Sequence, residues 1–197
     1  MYFGIYDLDE RAKCLQDKSC QKRKPSKLII HEMYIPDNKT VIDDIAIVRF
    51  NQPLNFTDYI EPICLPLNVT YDESFEPHTV DGTVLNVLAF GWGDKGGGVL
   101  SNTRRVVRLG VITLDECKKK ISVNSTTMCT LGDKGKDVCQ GDSGSPLVWM
   151  YKKQMYVVGV ATYGPLCAMD SDRPSIAMRI SYYIEWIKKA IMDESVH

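Results

Sequence analysis

DVCQGDSGSPL, residues 137–147, decides how the rest of this chain is read. Gly141 and Gly144 bracket Asp142 and Ser143, and glycine both tolerates positive φ and lets a substrate backbone come close. In such a turn the N–H groups of Gly141 and Ser143 can converge on a developing oxyanion, usually the largest single term in acyl-transfer catalysis. A serine hydroxyl is a poor nucleophile near neutral pH unless an adjacent base takes its proton. Read alone, Gly-Asp-Ser-Gly is also any tight loop, so the stretch sets a question that the remaining residues must answer.

Around it, short β-type runs recur between turn residues, the pattern of an all-β sandwich or barrel. The clearest are KLIIHEMYI (27–35), DIAIVRF (44–50), TVLNVLAFGWG (83–93) and RRVVRLGVIT (104–113). PLVWMYKKQMYVVGVATYG (146–164) reads as two strands about a Lys152-Lys153-Gln154 turn, and SIAMRIS (175–181) as another strand. The period then changes: Ile180, Ile184, Ile187 and Ile191 share one helical face, which predicts an amphipathic helix over Tyr182–Asp193. At 197 residues, 44% hydrophobic and 25% charged, the chain has an ordinary globular composition. Lys plus Arg (24) nearly balances Asp plus Glu (25), so charge offers no reason to expect a nucleic acid or membrane partner. Seven cysteines and the sequons at Asn38, Asn55, Asn68 and Asn124 point to a secreted, disulfide-bonded glycoprotein. No signal peptide opens the sequence, which implies that N-terminal residues precede those given. Neither a cofactor nor a metal site is expected; the carboxylates of YDLDE (6–10) lack convincing calcium-ligand spacing.

The residues 137–147 closely resemble the nucleophile region of the chymotrypsin/trypsin-like serine proteases. DDIAIVRF, IEPICLP, FGWG, DECKKKI with TTMCT, GVATYGPLC and YYIEWIKKAI extend the resemblance, in the family's order, over nearly the whole chain. It implies a double antiparallel β-barrel with a C-terminal helix, the first barrel (1–79) incomplete and the second (80–197) intact. It makes Ser143 the nucleophile, Gly141 and Ser143 the oxyanion-hole amides, and Asp44 the aspartate that orients the base, with Asp43 its exposed neighbour. Asp142 resembles the carboxylate that pairs with the new N-terminal amine after zymogen cleavage. Asp137 resembles the acid at the base of a trypsin-type pocket for Arg or Lys, walled by Thr162, Tyr163, Gly164 and Ser175. Glycine is frequent in the family where Ser175 stands, and a serine adds bulk and a hydroxyl there. The same register pairs Cys117 with Cys129 and Cys139 with Cys167. Cys14 and Cys20 resemble a surface-loop disulfide of arthropod clip-domain proteases, whose counterpart of Cys64 ties the catalytic domain to an upstream segment.

The family order is His, Asp, Ser. Of the three histidines, only His31 precedes Asp44, and it falls in a strand-like run rather than the family's Ala-Ala-His-Cys setting. His78 and His197 fall in the wrong places, and no Ile-Val-Gly-Gly-like activation start is present. The resemblance therefore implies an extracellular serine endopeptidase acting on protein substrates, lacking its N-terminal part and its base. Losing that base costs about 10⁶-fold in turnover in subtilisin, or roughly 8 kcal/mol. The competing reading is a non-catalytic homologue that binds partners.

Overall fold

A computed structural model describes residues 1–35, 42–67, 85–133, 135–164 and 172–192. The chain opens with β1 (Tyr2–Phe3), a 3-10 turn at Leu8–Glu10 and α1 (Arg11–Gln16), then β2 (Gln21–Lys22), which pairs back onto β1. Next come β3 (Pro25–Ile30) and β4 (Ala46–Phe50), an antiparallel ribbon in which Leu28 faces Val48 and Ile30 faces Ala46. The KLIIHEMYI run ends as a strand at Ile30, because His31 caps a turn: its carbonyl accepts from the Tyr34 N–H at 3.0 Å.

The second part is one closed antiparallel barrel. It contains β5 (Asn86–Gly91), β6 (Arg105–Ile112), β7 (Thr127–Leu131), β8 (Pro146–Tyr151), β9 (Gln154–Tyr163) and β10 (Ser175–Arg179), in the order β10-β7-β6-β5-β8-β9. The Lys152–Lys153 turn forms where expected, with φ of 47° and 64° at its two residues, the primed geometry whose twist matches a hairpin. β7, with four of its five residues buried, continues no clear alternation and was not legible as a strand. α2 (Leu114–Lys118), between β6 and β7, starts on a capping box in which Thr113 and Glu116 each bond the other's backbone N–H.

Inside the barrel, Val87, Ala89, Leu109, Leu147, Val158 and Ala177 form the core. Burying each larger aliphatic side chain stabilises the fold by about 1.5–3 kcal/mol. A second cluster joins Ile45, Ile176, Met178, Ile180, Tyr183 and Ile187, and so seats the C-terminal element on the barrel. That element is a 3-10 turn at Ile180–Tyr183 followed by α3 (Ile184–Met192). Ile180, Ile184 and Ile187 face the cluster, but Ile191 is 58% exposed. Ile191 stands in the last turn of α3, past the end of that cluster. Asp193 lies outside the described residues. Arg49 of β4 donates to the carbonyls of Ala190 and Ile191, satisfying acceptors that a helix C-terminus leaves open. No helix among the described residues is long and apolar enough to cross a membrane.

Candidate active site

The loop 139–145 is a chain of tight turns ahead of β8. The Asp142 N–H reaches the Cys139 carbonyl at 2.9 Å and the Ser145 N–H the Asp142 carbonyl at 2.9 Å. The end of β9 holds the loop from outside, through Gly144 N–H to Ala161 O (2.7 Å) and Ala161 N–H to Ser145 O (2.9 Å). Gly141 and Gly144 sit at φ 93° and 83°, a region costly to other residues. Ser143 is thereby presented at the surface, its Oγ donating a long 3.4 Å bond to the Thr162 carbonyl. Among the described residues, neither the Gly141 nor the Ser143 N–H has an acceptor.

Asp142 turns away from Ser143. Its Oδ1 accepts from the Gly93 N–H at 2.8 Å and its Oδ2 from the Cys139 N–H at 3.0 Å. A Cβ on Gly91 or Gly93 would run into this carboxylate, which explains both glycines of FGWG. Asp142 and Asp137 also line a cavity of about 660 Å³, together with Gly91, Gly93, Arg105 and Arg108. Thr162, Tyr163, Gly164 and Ser175 do not line that cavity. Ser175 stands instead beside Asp137, and Gly164 beside Ser175 and Val138.

There, burial pushes the Asp137 carboxyl above the usual carboxylate range, partly offset by the Val138 N–H, which donates to Oδ1 at 2.7 Å, and by nearby Ser175. Ser175 is 2% exposed, and its Oγ, although close, makes no hydrogen bond of proper geometry. Thr162 Oγ1 donates to the Ile176 carbonyl at 3.3 Å, and the exposed Tyr163 hydroxyl accepts from Arg173 at 3.4 Å.

Asp44, at the mouth of β4, is half-buried, and burial raises its carboxyl pKa; no donor among the described residues reaches it. Asp43 requires a correction: it is 8% exposed rather than surface-facing. Its backbone takes φ 50°, which swings the side chain inward, where Tyr183 donates to Oδ1 at 2.7 Å. His31 stands on the same acid, Nδ1 4.0 Å from Oδ2, with its ring between Tyr183 (centroids 5.4 Å apart) and Trp186 (5.0 Å). Sequence reasoning missed this cluster because its members are up to 155 positions apart; a buried acid beside a predicted strand end carries no local signature. His78 and His197 lie outside the described residues.

The disulfides Cys14–Cys20 and Cys117–Cys129 are formed. Cys139 is disulfide-bonded, and Cys167 lies outside the described residues. Cys64 is a half-buried free thiol whose backbone bonds the start of β9, accepting from the Val157 N–H at 3.0 Å. Asn55 and Asn124 are exposed; Asn38 and Asn68 lie outside the described residues. Asp7 and Asp9 serve the local turn and Asn102. No group of three or more His, Cys, Asp or Glu that could hold a metal occurs among the described residues.

The family profile described as Trypsin matches residues 8–187. Similar proteins include CLIP domain-containing serine protease B4 of Anopheles gambiae, 34% identical over 170 residues that make up 84% of this chain and 46% of the relative. Phenoloxidase-activating factor 3 of Holotrichia diomphalia is 30% identical over 203 residues, 95% of this chain and 55% of the relative. Serine protease ea of Drosophila melanogaster is 32% identical over 174 residues, 84% of this chain and 43% of the relative. The chain thus spans about half the length of the curated relatives it matches.

Proposed function

The chain belongs to the trypsin family of serine proteases, and from that premise we propose that it carries the acyl-transfer half of a secreted endopeptidase cutting after Lys or Arg. The observation that carries this reading is the exposed Ser143 beside two unclaimed amides. Ser143 Oγ attacks the scissile carbonyl, the N–H groups of Gly141 and Ser143 receive the oxyanion, and the amine leaves an acyl-enzyme that water hydrolyses. Asp137 takes the substrate cation, and Thr162 to Gly164 form the wall beside it. Asp44 orients a base that none of the described residues supplies, and residues 1–79 form part of a first barrel.

The cavity beside Asp142 suits a second role in the same reading. It is the recess into which an activation terminus delivers its amine, and Asp142 meets it by giving up one of its backbone donors. Cys64, half-buried at the start of β9, is the attachment point for a clip or pro-segment. Relatives named phenoloxidase-activating factor and Spaetzle-processing enzyme support a place in an extracellular cascade. Asn55 and Asn124 are the exposed candidates for glycosylation.

Activated esters need little help from a base, so they test the site in this chain as it stands. Hydrolysis of a lysine thiobenzyl ester is expected above background in the wild type, at background in Ser143→Ala, and weak for the leucine ester. Equal rates in wild type and Ser143→Ala would overturn the reading and favour a binding protein. Among the described residues the one histidine, His31, stands on Asp43 and makes no bond to Ser143, the observation that favours that second possibility.

A further inference from the structure

Asp94 follows Gly93 and carries a carboxylate that the proposed reaction does not use. Three backbone N–H groups of its own loop donate to it: Gly96 to Oδ1 at 2.7 Å, Gly98 to Oδ2 at 2.8 Å and Val99 to Oδ1 at 3.1 Å. Gly96, Gly97 and Gly98 take φ of 107°, 79° and 79°, and a Cβ added to any of them would meet nothing within 4 Å. Glycine loses more conformational freedom on folding than any other residue, and these three have no packing to offset that loss. The carboxylate therefore orders the loop, helped by the Lys95 N–H bond to the Val99 carbonyl at 3.0 Å and the antiparallel bridge between Asp94 and Leu100.

The ordered loop lies against the residue before Asp142 and Ser143. Leu100 closes it, with Cδ2 3.2 Å from the Cβ position of Gly141, and the Gly93 Cα stands 3.3 Å from the same point. The Asp94 N–H donates to the Gln140 carbonyl at 2.8 Å. Gln140 O and the Gly141 N–H belong to one peptide unit, and in a planar trans peptide they point opposite ways. Holding that carbonyl turns the Gly141 N–H away from Asp94, where no acceptor among the described residues claims it. We propose that Asp94 is a positioning residue for the oxyanion hole: its carboxylate ties the loop, and the tied loop fixes the Gln140–Gly141 peptide with its amide free for the developing charge. Without the carboxylate the loop loosens and that peptide is free to rotate. A misplacement of about 1 Å can cost 10²-fold in rate.

This inference rests on the reading of Ser143 and Gly141 as acyl-transfer groups, and the test separates the two. Hydrolysis of the lysine thiobenzyl ester by the whole chain is measured for wild type, Asp94→Asn and Asp94→Ala, with kcat, KM and melting temperature for each. An oxyanion donor acts in the transition state, so kcat is expected to fall while KM holds. In Asp94→Ala the fall should be about 10–100-fold, short of the 10²–10³ that deleting an oxyanion donor outright costs. Asparagine keeps one oxygen, enough for the two N–H groups that share Oδ1, so Asp94→Asn should lie between alanine and wild type. Where Asp94→Ala melts below the assay temperature, the split between kcat and KM in Asp94→Asn decides. A kcat equal to wild type in the folded variants, or a raised KM at unchanged kcat, would overturn the positioning role and leave the ester chemistry standing. A wild-type rate no higher than that of Ser143→Ala would overturn the acyl-transfer reading and this inference with it.

Discussion

Asp137 is held in the fold at a cost that depends on pH. Its carboxyl pKa is raised, mainly by burial. A raised acid is penalised in its charged form, so the penalty is fully present above the folded pKa and disappears below the unfolded value near 3.9. Asp137→Asn keeps an oxygen for the Val138 N–H and removes the charge. Its melting temperature should exceed that of the wild type at pH 7.5, and the difference should shrink toward zero as the pH is lowered to about 3. An equal or lower melting temperature at pH 7.5 would contradict the burial argument. Asp43 shows the limit of reading single residues. DDIAIV gives two adjacent acids, and only the left-handed backbone at Asp43, set by Tyr183 from the far end of the chain, determines which one turns inward. Ser143, Gly141 and Asp142 were legible because their roles are carried by neighbours in sequence.

Strands with strong apolar runs were legible, and so was the β8–β9 hairpin, whose turn chemistry is local. β7 and α1 were not, since β7 is formed by burial on both sides and α1 by a six-residue disulfide loop. The loop after β5 is shaped by a contact rather than by propensity: Gly93 lies against the Asp142 carboxylate, with a Cβ position 2.5 Å from its Oδ2. Gly93→Ala should expel that carboxylate and break its bonds to two N–H groups. A destabilisation of about 3–6 kcal/mol is expected, from two charge-assisted bonds worth roughly 1.5–3 kcal/mol each. If the clash is the cause, adding Asp142→Ala should make the alanine at 93 nearly harmless, a non-additivity that urea titrations of the double-mutant cycle would expose. Additive losses would place the cause elsewhere.

Across the molecule, order is unevenly supported. The barrel closes on itself, whereas among the described residues β3 pairs only with β4, and Leu28 and Ile30 are 58% and 50% exposed. Amides of β3 should exchange with solvent through local opening well before those of β8 to β10, which open only with the barrel. Equal protection in hydrogen exchange would mean that the ribbon and barrel unfold as one. The chain's three tryptophans are divided among three apolar clusters of the described residues. Trp92 donates to the Tyr6 carbonyl under the N-terminal disulfide loop, Trp149 stacks on Tyr151 in the barrel, and Trp186 lies against His31 where the ribbon meets α3. Each region therefore contains its own emitter. Variants retaining one indole at a time would turn an ordinary fluorescence melt into three separate recordings of where this chain lets go first.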